Sequence, residues 1–110
     1  MELNLENFTG TEHYYKHWLG KVYTDGVKYI ADQCGAHWLL DAVFSYKRNE
    51  PLQVWNLKVN QLDNSALLAM VEDKGEPALI RQEIPYTDFP LEEIELWLLD
   101  GTTLILPSEY

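Results

Sequence analysis

The segment Tyr23–Tyr46, YTDGVKYIADQCGAHWLLDAVFSY, is the feature of this sequence that most restricts the possible folds. At helical spacing its apolar residues form two adjacent stripes, which together exceed the roughly 100° apolar face of an ordinary surface helix. The first stripe is Val27, Ile30, Ala31, Cys34, Trp38 and Ala42, and the second is Ala36, Leu39, Leu40, Val43 and Phe44. Such a helix has to be covered on most of its circumference. We therefore predict that residues 25–46 are the buried centre of the fold.

The ends and the middle of this segment carry their own signals. Thr24 is predicted to be the N-cap, and Asp25 suits the positive first turn of a helix. Glycine costs about 1 kcal/mol relative to alanine in a helix interior, so a kink or a break is predicted at Gly35. His37 and Asp41 lie four residues apart on the narrow polar face of the second half.

A second helix is predicted before this segment. Thr9 and Glu12 have the spacing of a capping box, which predicts a helix over Glu12–Leu19 that ends at Gly20. Its apolar face consists of Tyr14, Tyr15, Trp18 and Leu19, and its other face carries His13, Lys16 and His17. We expect Trp18, Trp38 and Trp55 to be core residues. Leu3 and Leu5 alternate as in a short strand.

The chain changes to strand patterns after the polar break KRNEP at residues 47–51. Strands are predicted over 52–60, 65–73 and 78–84, and their short connections require antiparallel pairing. Residues 91–99 fit a helix or a strand; a strand is favoured because Asp100-Gly101 and the β-branched run 102–106 indicate a hairpin. The prediction is an α+β fold, with two N-terminal helices packed on one face of a four- to five-stranded antiparallel sheet. Residues 1–110 then form a single domain, with a helical part (1–47) and a sheet (52–106).

The charge of the chain bears on its partners. The formal net charge is -10, and residues 61–110 carry eleven acidic side chains against Lys74 and Arg81 alone. Such a surface repels nucleic acid and anionic lipid, so we expect no direct nucleic-acid binding and no membrane association. A basic protein partner is compatible with it. No secretory signal and no apolar run of membrane-spanning length is visible, and a single cysteine excludes an internal disulfide, so the expected compartment is the cytoplasm.

The histidines are the candidates for a metal site or a reaction centre. His13 and His17 have the four-residue spacing of two ligands on a metal-binding helix, but no glutamate follows the first histidine, so the zinc peptidase pattern is incomplete. A third ligand would come from His37, Asp41 or Cys34. A hydrogen-bonded His37–Asp41 pair would be one step from a catalytic dyad. The only thiol that could serve as a nucleophile, that of Cys34, lies on the apolar stripe, where a thiol is inert. The alternative is that His37 and Asp41 form a purely structural pair.

Glu92, Glu93 and Glu95 form the densest acidic cluster, with Asp88 and Asp100 nearby, and the candidate partner-binding residues are Asp88 and the three glutamates. We interpret these four residues, called the acidic cluster below, as a solvated face that binds a partner; an alternative is a surface that imitates the phosphates of a nucleic acid. No catalytic residue is assigned. The chain has no Gly-rich phosphate loop, no CxxC and no Gly-x-Ser-x-Gly motif, and no cofactor is predicted.

Four stretches of the chain carry a resemblance to a known family. They are TGTEHYYKHWL, YTDGVKYIADQCGAHWLLDA, IPYTDFPLEEIELWLLDG and the terminal LPSEY. On these stretches the chain resembles a family of small uncharacterised bacterial proteins, of the domain-of-unknown-function kind, found on plasmids and phage-derived DNA. The resemblance implies no known activity and transfers no functional residue. It implies an accessory role on a mobile element.

These observations favour a non-enzymatic binding or modulator module that acts on a protein partner, for instance as an inhibitor of a host nucleic-acid enzyme or as an immunity-type protein. The alternative is a small enzyme or metal-binding protein centred on His13, His17, His37 and Asp41. A homodimer formed through a sheet edge or the aromatic helices would indicate a structural role. Convergence of the histidines and Asp41 in one pocket would favour the enzyme; scattered histidines and a contiguous carboxylate face would favour the binding module.

Overall fold

The structure, a computed structural model, describes residues 13–46, 48, 50–73 and 75–110. Its elements are the strands β1 (Tyr14–Lys16) and β2 (Val22–Thr24), the helices α1 (Asp25–Gln33) and α2 (His37–Ser45), the strands β3 (Leu52–Asn60), β4 (Ser65–Val71), β5 (Ile80–Ile84), β6 (Glu93–Leu99) and β7 (Thr103–Ile105), and a 3-10 helix, Pro107–Glu109. The predicted strand at Leu3 and Leu5 and the capping box of Thr9 and Glu12 lie outside the described residues.

The break predicted at Gly35 is confirmed. Gly35 has a φ of +59°, the left-handed conformation that glycine adopts without steric cost. The N–H of Ala36 donates to the carbonyl of Ala31 at 2.9 Å, which is the closing bond of a Schellman motif. Residues 25–45 therefore form two nine-residue helices rather than one long helix.

The predicted helix over 12–19 is wrong where the structure describes it. Residues 14–16 form strand β1, which pairs antiparallel with β2, and the rings of Tyr15 and Tyr23 stack across the pair at 5.7 Å. The N–H of His17 donates to the carbonyl of Lys21 at 2.7 Å, which closes the hairpin. Both α-helices among the described residues therefore come from the segment after residue 24, and neither is N-terminal to the strands β1 and β2.

In the described part of the chain the sheet is mixed and has seven strands, in the order β1-β2-β7-β6-β3-β4-β5. The pairs β3·β4, β4·β5 and β6·β7 are antiparallel, as their short connections predict, and β3 also pairs antiparallel with β6. β2 and β7 are parallel, which corrects the prediction of a purely antiparallel sheet. Asp100 and Gly101 have φ values of 53° and 69°, so the predicted Asp-Gly hairpin between β6 and β7 is confirmed.

Both helices contribute to one apolar core on one face of the sheet, here the inner face. Every buried apolar side chain of α1 and α2 belongs to this core, and Leu40 and Val43 have no exposed surface. The sheet contributes alternate residues, including Trp55, Leu57, Leu68, Met70, Leu96 and Leu98. The prediction that residues 25–46 form the buried centre is confirmed.

The end of the chain is docked at the start of α1. The Glu109 carboxylate accepts bonds from the Thr24 hydroxyl at 2.6 Å, the Gly26 N–H at 3.2 Å and the Leu106 N–H at 2.9 Å. Thr24 is the N-cap residue as predicted, but its side chain makes no capping bond; Glu109 accepts the Gly26 N–H and adds its negative charge to that of Asp25 in the first turn. A Cβ at Gly26 would lie 2.6 Å from Leu106 Cδ1 and 2.7 Å from Glu109 Oε1, so only glycine leaves room for this contact.

Candidate functional site

His13 and His17 lie at the two ends of β1 and have different partners. His13 is exposed, and its Nδ1 lies 3.8 Å from Oδ2 of Asp25. His17 is buried, and its Nε2 lies 2.6 Å from Oδ1 of Asp41. Because residues 14–16 are a strand, the helical spacing on which the two-ligand interpretation depended does not exist.

The predicted His37–Asp41 pair is also wrong, because each of the two residues has another partner. Nε2 of His37 lies 2.8 Å from Oδ1 of Asp32, and the ammonium of Lys28 donates to Oδ2 of the same carboxylate at 2.6 Å. The bond from Lys28 and then the bond from His37 lower the pKa of Asp32. This arrangement links the end of α1 to the start of α2 across the Gly35 break, with half-exposed groups.

His17 and Asp41 join the β1–β2 hairpin to α2. The N–H of Leu19 donates to Nδ1 of His17 at 3.1 Å, so Nε2 carries the proton that is donated to Asp41. The imidazole also packs edge-on against Phe44, at 4.7 Å between ring centroids. Asp41 Oδ1 accepts a second bond from the Trp18 indole N–H at 3.0 Å. With both of its nitrogens bonded and its ring buried, His17 holds the hairpin on the helix.

Replacement of Asp41 with asparagine is expected to destabilise the protein at neutral pH and to have a much smaller effect in acid. The bond from His17, followed by that from Trp18, lowers the pKa of Asp41. Because the folded pKa is below the unfolded value of about 3.9, the carboxylate contributes stability above that pH and loses it as the pH falls through the lowered pKa. Urea midpoints of wild type and Asp41→Asn should therefore differ at neutral pH and converge in acid.

The matched control for this measurement is Asp88→Asn. Asp88 is exposed and its side chain makes no hydrogen bond or ion pair with a described residue, so its substitution should leave the midpoint unchanged across the range. A difference between wild type and Asp41→Asn that stays constant from neutral to acidic pH would contradict the role given to the ionised carboxylate.

Cys34 and the buried polar groups offer no reactive side chain in the described part of the chain. Cys34 is buried, and burial raises the pKa of its thiol, as its place on the apolar stripe predicts. Every buried side-chain nitrogen or oxygen described has a hydrogen-bond partner. Among residues 13–46, 48, 50–73 and 75–110, no group of three His, Cys, Asp or Glu side chains could hold a metal ion.

The acidic cluster lies at one end of the sheet. Glu93 and Glu95 are on β6 and point to the face opposite the helices, here the outer face, where Asn56 donates to Glu93 at 2.9 Å. Glu92 directly precedes β6 and is exposed. Asp88 is on the loop after β5, which Phe89 anchors in the core, whereas Tyr86 of the same loop is 68% exposed. The four carboxylates thus share one region of the surface.

Two cross-strand rows on the outer face combine these carboxylates with cations and apolar side chains. One row is Glu83, Leu67, Lys58 and Glu93, and the next is Arg81, Ala69, Asn56 and Glu95. A shallow concavity of about 610 Å³ lies on the first row, lined by Lys58, Leu67, Glu83 and Pro85 among others. The third row is apolar and includes Trp97, whose ring meets that of Tyr110 at 5.4 Å. Sequence reasoning did not place Lys58 and Arg81 here because the pairing of β3, β4, β5 and β6 brings them into these rows, and no local pattern gives that pairing.

A cleft of about 560 Å³ lies between the β1–β2 hairpin and α2. Its lining includes Trp18, Leu19, Lys21, Asp41, Phe44 and Arg48. Trp18 is 77% exposed, which corrects its assignment to the core; Trp55 is buried as predicted. The indole of Trp18 is exposed because it lies on a tight hairpin turn rather than on the inner face of a helix.

These features define an α+β protein with a mixed seven-stranded sheet, one face of which is covered by two helices. The sequence model of the family of unknown function DUF6876 matches residues 1–110, and the chain belongs to this family. Comparison with curated proteins and with solved structures finds no match to this chain. Neither helix in the described residues is long and apolar enough to cross a membrane.

Proposed function

We propose that this protein is a non-enzymatic binding or modulator module, which acts on a protein partner through the outer face of the sheet and the acidic cluster. The observation that carries the proposal is the position of Glu93 and Glu95 on the outer face of the sheet, in cross-strand rows that also hold the half-exposed apolar side chains of Leu67 and Ala69. A mixed surface of this kind is typical of protein interfaces, where apolar contacts supply affinity and charges supply specificity.

The distribution of the histidines supports a binding module over an enzyme. His13, His17 and His37 pair with three different aspartates, Asp25, Asp41 and Asp32. A general acid–base centre needs titratable groups within reach of the same substrate atoms. Three separate pairs on different elements join strand to helix or helix to helix, which is a structural use of these residues.

Charge supports a basic partner. Residues 61–110 carry eleven acidic side chains and two basic ones, and β4, β5 and β6 all come from this part of the chain. Lys58 and Arg81 alternate with the carboxylates across the outer face, so the surface is patterned rather than uniformly negative. A patterned surface suits the side chains of a protein better than the regular phosphates of a nucleic acid.

The cellular setting belongs to the same proposal. We place the protein in the cytoplasm of a bacterium, with a role as an accessory inhibitor or immunity-type protein of a plasmid or phage-derived element, without direct nucleic-acid binding or membrane attachment. Support comes from the acidic charge and from the resemblance carried by the four sequence stretches. A homodimer through the edge strand β1 or β5 is compatible with this role.

A small enzyme centred on His13, His17, His37 and Asp41 is the second candidate. One observation favours it: the 2.6 Å contact between His17 and Asp41 lies beside a cleft that Asp41 lines. His17 is nevertheless buried and bonded at both nitrogens, so it has no free nitrogen for a substrate proton. We therefore rank the binding module first.

Affinity capture with matched charge reversals tests the proposal. The baits are wild type, Glu92→Lys/Glu93→Lys at the acidic cluster, and Glu72→Lys/Glu76→Lys near the far end of β4, with the same change in net charge. A partner retained by wild type and by the Glu72/Glu76 variant, but lost by the Glu92/Glu93 variant, is the expected result. Equal capture by all three baits would exclude the acidic cluster as the contact surface.

A further inference from the structure

We propose that the cleft between the β1–β2 hairpin and α2 is a second binding site, which takes a peptide segment of a partner protein that carries an apolar side chain next to a carboxylate. This cleft is separate from the outer face, and its lining combines Lys21, Arg48 and Asp41 with the exposed indole of Trp18. The inference does not depend on the function proposed for the acidic cluster.

Trp18 supplies the apolar contact. Its side chain is 77% exposed, yet its indole N–H is fixed at 3.0 Å on Asp41 Oδ1. His17 holds the same carboxylate oxygen at 2.6 Å, so the indole orientation rests on a buried group. A large aromatic surface that is exposed and already oriented loses little conformational entropy on binding, which is the property of an interface anchor.

Leu19 and Phe44 line the same cleft and extend the apolar surface of the indole. The cleft of about 560 Å³ is within the size range of sites that enclose a few side chains. An aromatic or branched aliphatic side chain of a peptide would therefore find contacts on the indole and on these two residues.

The polar groups of the cleft select for a carboxylate and for a peptide backbone. Lys21 makes no side-chain hydrogen bond or ion pair with a described residue, and Arg48 shares its guanidinium with Glu50 at 2.8 Å. Lys21 is thus the cation available to a carboxylate. From the described residues Asp41 receives both of its bonds on Oδ1, which leaves Oδ2 as the acceptor for a backbone N–H of the peptide. A simple inorganic anion would be repelled by the negative charge of Asp41 and has no N–H to donate to Oδ2, so it fits the cleft less well than a peptide.

The test is an NMR titration of ¹⁵N-labelled protein with synthetic peptides. The probe is acetyl-Asp-Glu-Phe-Glu-Asp-amide, and the matched peptides replace its acids by amides or its phenylalanine by alanine. The signal followed is the NMR resonance of the Trp18 indole N–H, which is assigned because it disappears from the spectrum of Trp18→Phe. We expect a saturable shift of this signal with the acidic phenylalanine peptide, weakened by salt, and little shift with either matched peptide.

Two substitutions and one control complete the test. Lys21→Gln should weaken binding about tenfold, the effect of one lost charge contact. Trp18→Ala should weaken it by more, as followed on the backbone amide signals of Leu19 and Phe44, because this variant has no indole signal. Lys58→Gln, on the outer face, should leave the affinity unchanged. Equal binding of the three peptides, absence of a saturable shift, or an unchanged affinity in Lys21→Gln would overturn the proposal. A Trp18 shift that depends on protein concentration without peptide would overturn it in favour of a second copy of this chain.

Discussion

Replacement of Leu40 with alanine is expected to lower the free energy of unfolding by about 3–4 kcal/mol. Leu40 lies on α2 and has no exposed surface, so truncation removes buried methyl groups and leaves a cavity. Leucine-to-alanine changes at such sites cost about 3–5 kcal/mol, because the surroundings relax only in part. The measurement is a urea unfolding curve followed by far-ultraviolet circular dichroism.

Leu62→Ala is the matched control for this prediction. Leu62 is 96% exposed in the turn between β3 and β4, so the same chemical change there should alter the unfolding free energy by less than about 0.5 kcal/mol. A loss below about 1 kcal/mol in Leu40→Ala would contradict the burial of α2 against the sheet.

Replacement of Glu109 with alanine is expected to cost about 2–4 kcal/mol, although the residue is next to last in the chain. Its carboxylate accepts bonds from Thr24, Gly26 and Leu106. Thr24 is fully buried, so its hydroxyl would be left without this acceptor, at about 1–3 kcal/mol. Loss of a negative charge at the N-terminus of α1 adds about 0.3–1 kcal/mol.

Two further variants separate the contributions to this contact. Glu109→Gln keeps the shape and one acceptor oxygen, so it should lose about half as much stability as the alanine variant. Gly26→Ala places a methyl group at 2.6 Å from Leu106 Cδ1, and it should displace the 3-10 helix. In a double-mutant cycle of Glu109→Gln and Gly26→Ala, the losses in the free energy of unfolding should then be strongly non-additive. Additive losses of stability would show that Glu109 acts independently of its contact with Gly26 at the N-terminus of α1.

The sheet from β3 onward could be predicted from the sequence because its signals are local. The 52–60 strand matches β3 residue for residue, and its alternation places Trp55 and Leu57 on the inner face. Asp100-Gly101 indicated the β6–β7 hairpin and so favoured a strand over a helix for residues 91–99, where the structure has the strand Glu93–Leu99. Gly35 marked the break between the helices. Each of these signals depends on neighbours within a few residues.

The N-terminal hairpin could not be predicted because its strands are three residues long. Tyr14, Tyr15 and Trp18 fit a helical face, and three residues do not establish a period of two. The stabilising contacts are distant in sequence: the Tyr15 hydroxyl donates to Asp25 at 2.9 Å, and β2 pairs with β7 at the other end of the chain. No local sequence pattern predicts the parallel pairing of β2 with β7, because about 80 residues separate the two strands.

The candidate sites also divide into those with a local sequence signal and those formed by residues distant in sequence. The acidic cluster was visible as a run of carboxylates, and its placement on β6 follows from strand alternation. The cleft at Trp18 was missed, since Lys21, Asp41 and Arg48 come from different elements. The four-residue spacings of His13 with His17 and of His37 with Asp41 were misleading: the first pair flanks a strand, and in the second each residue bonds a partner elsewhere.

The most direct test of the central claim, that the outer face and the acidic cluster bind a protein partner, is a calorimetric titration of the captured partner. The titrants are wild type, Glu92→Lys/Glu93→Lys and Glu72→Lys/Glu76→Lys, at low and high salt. We expect the Kd to rise at least about tenfold for the Glu92/Glu93 variant, to rise with salt for wild type, and to stay unchanged for the Glu72/Glu76 variant. An unchanged Kd for the Glu92/Glu93 variant at low salt would contradict the claim.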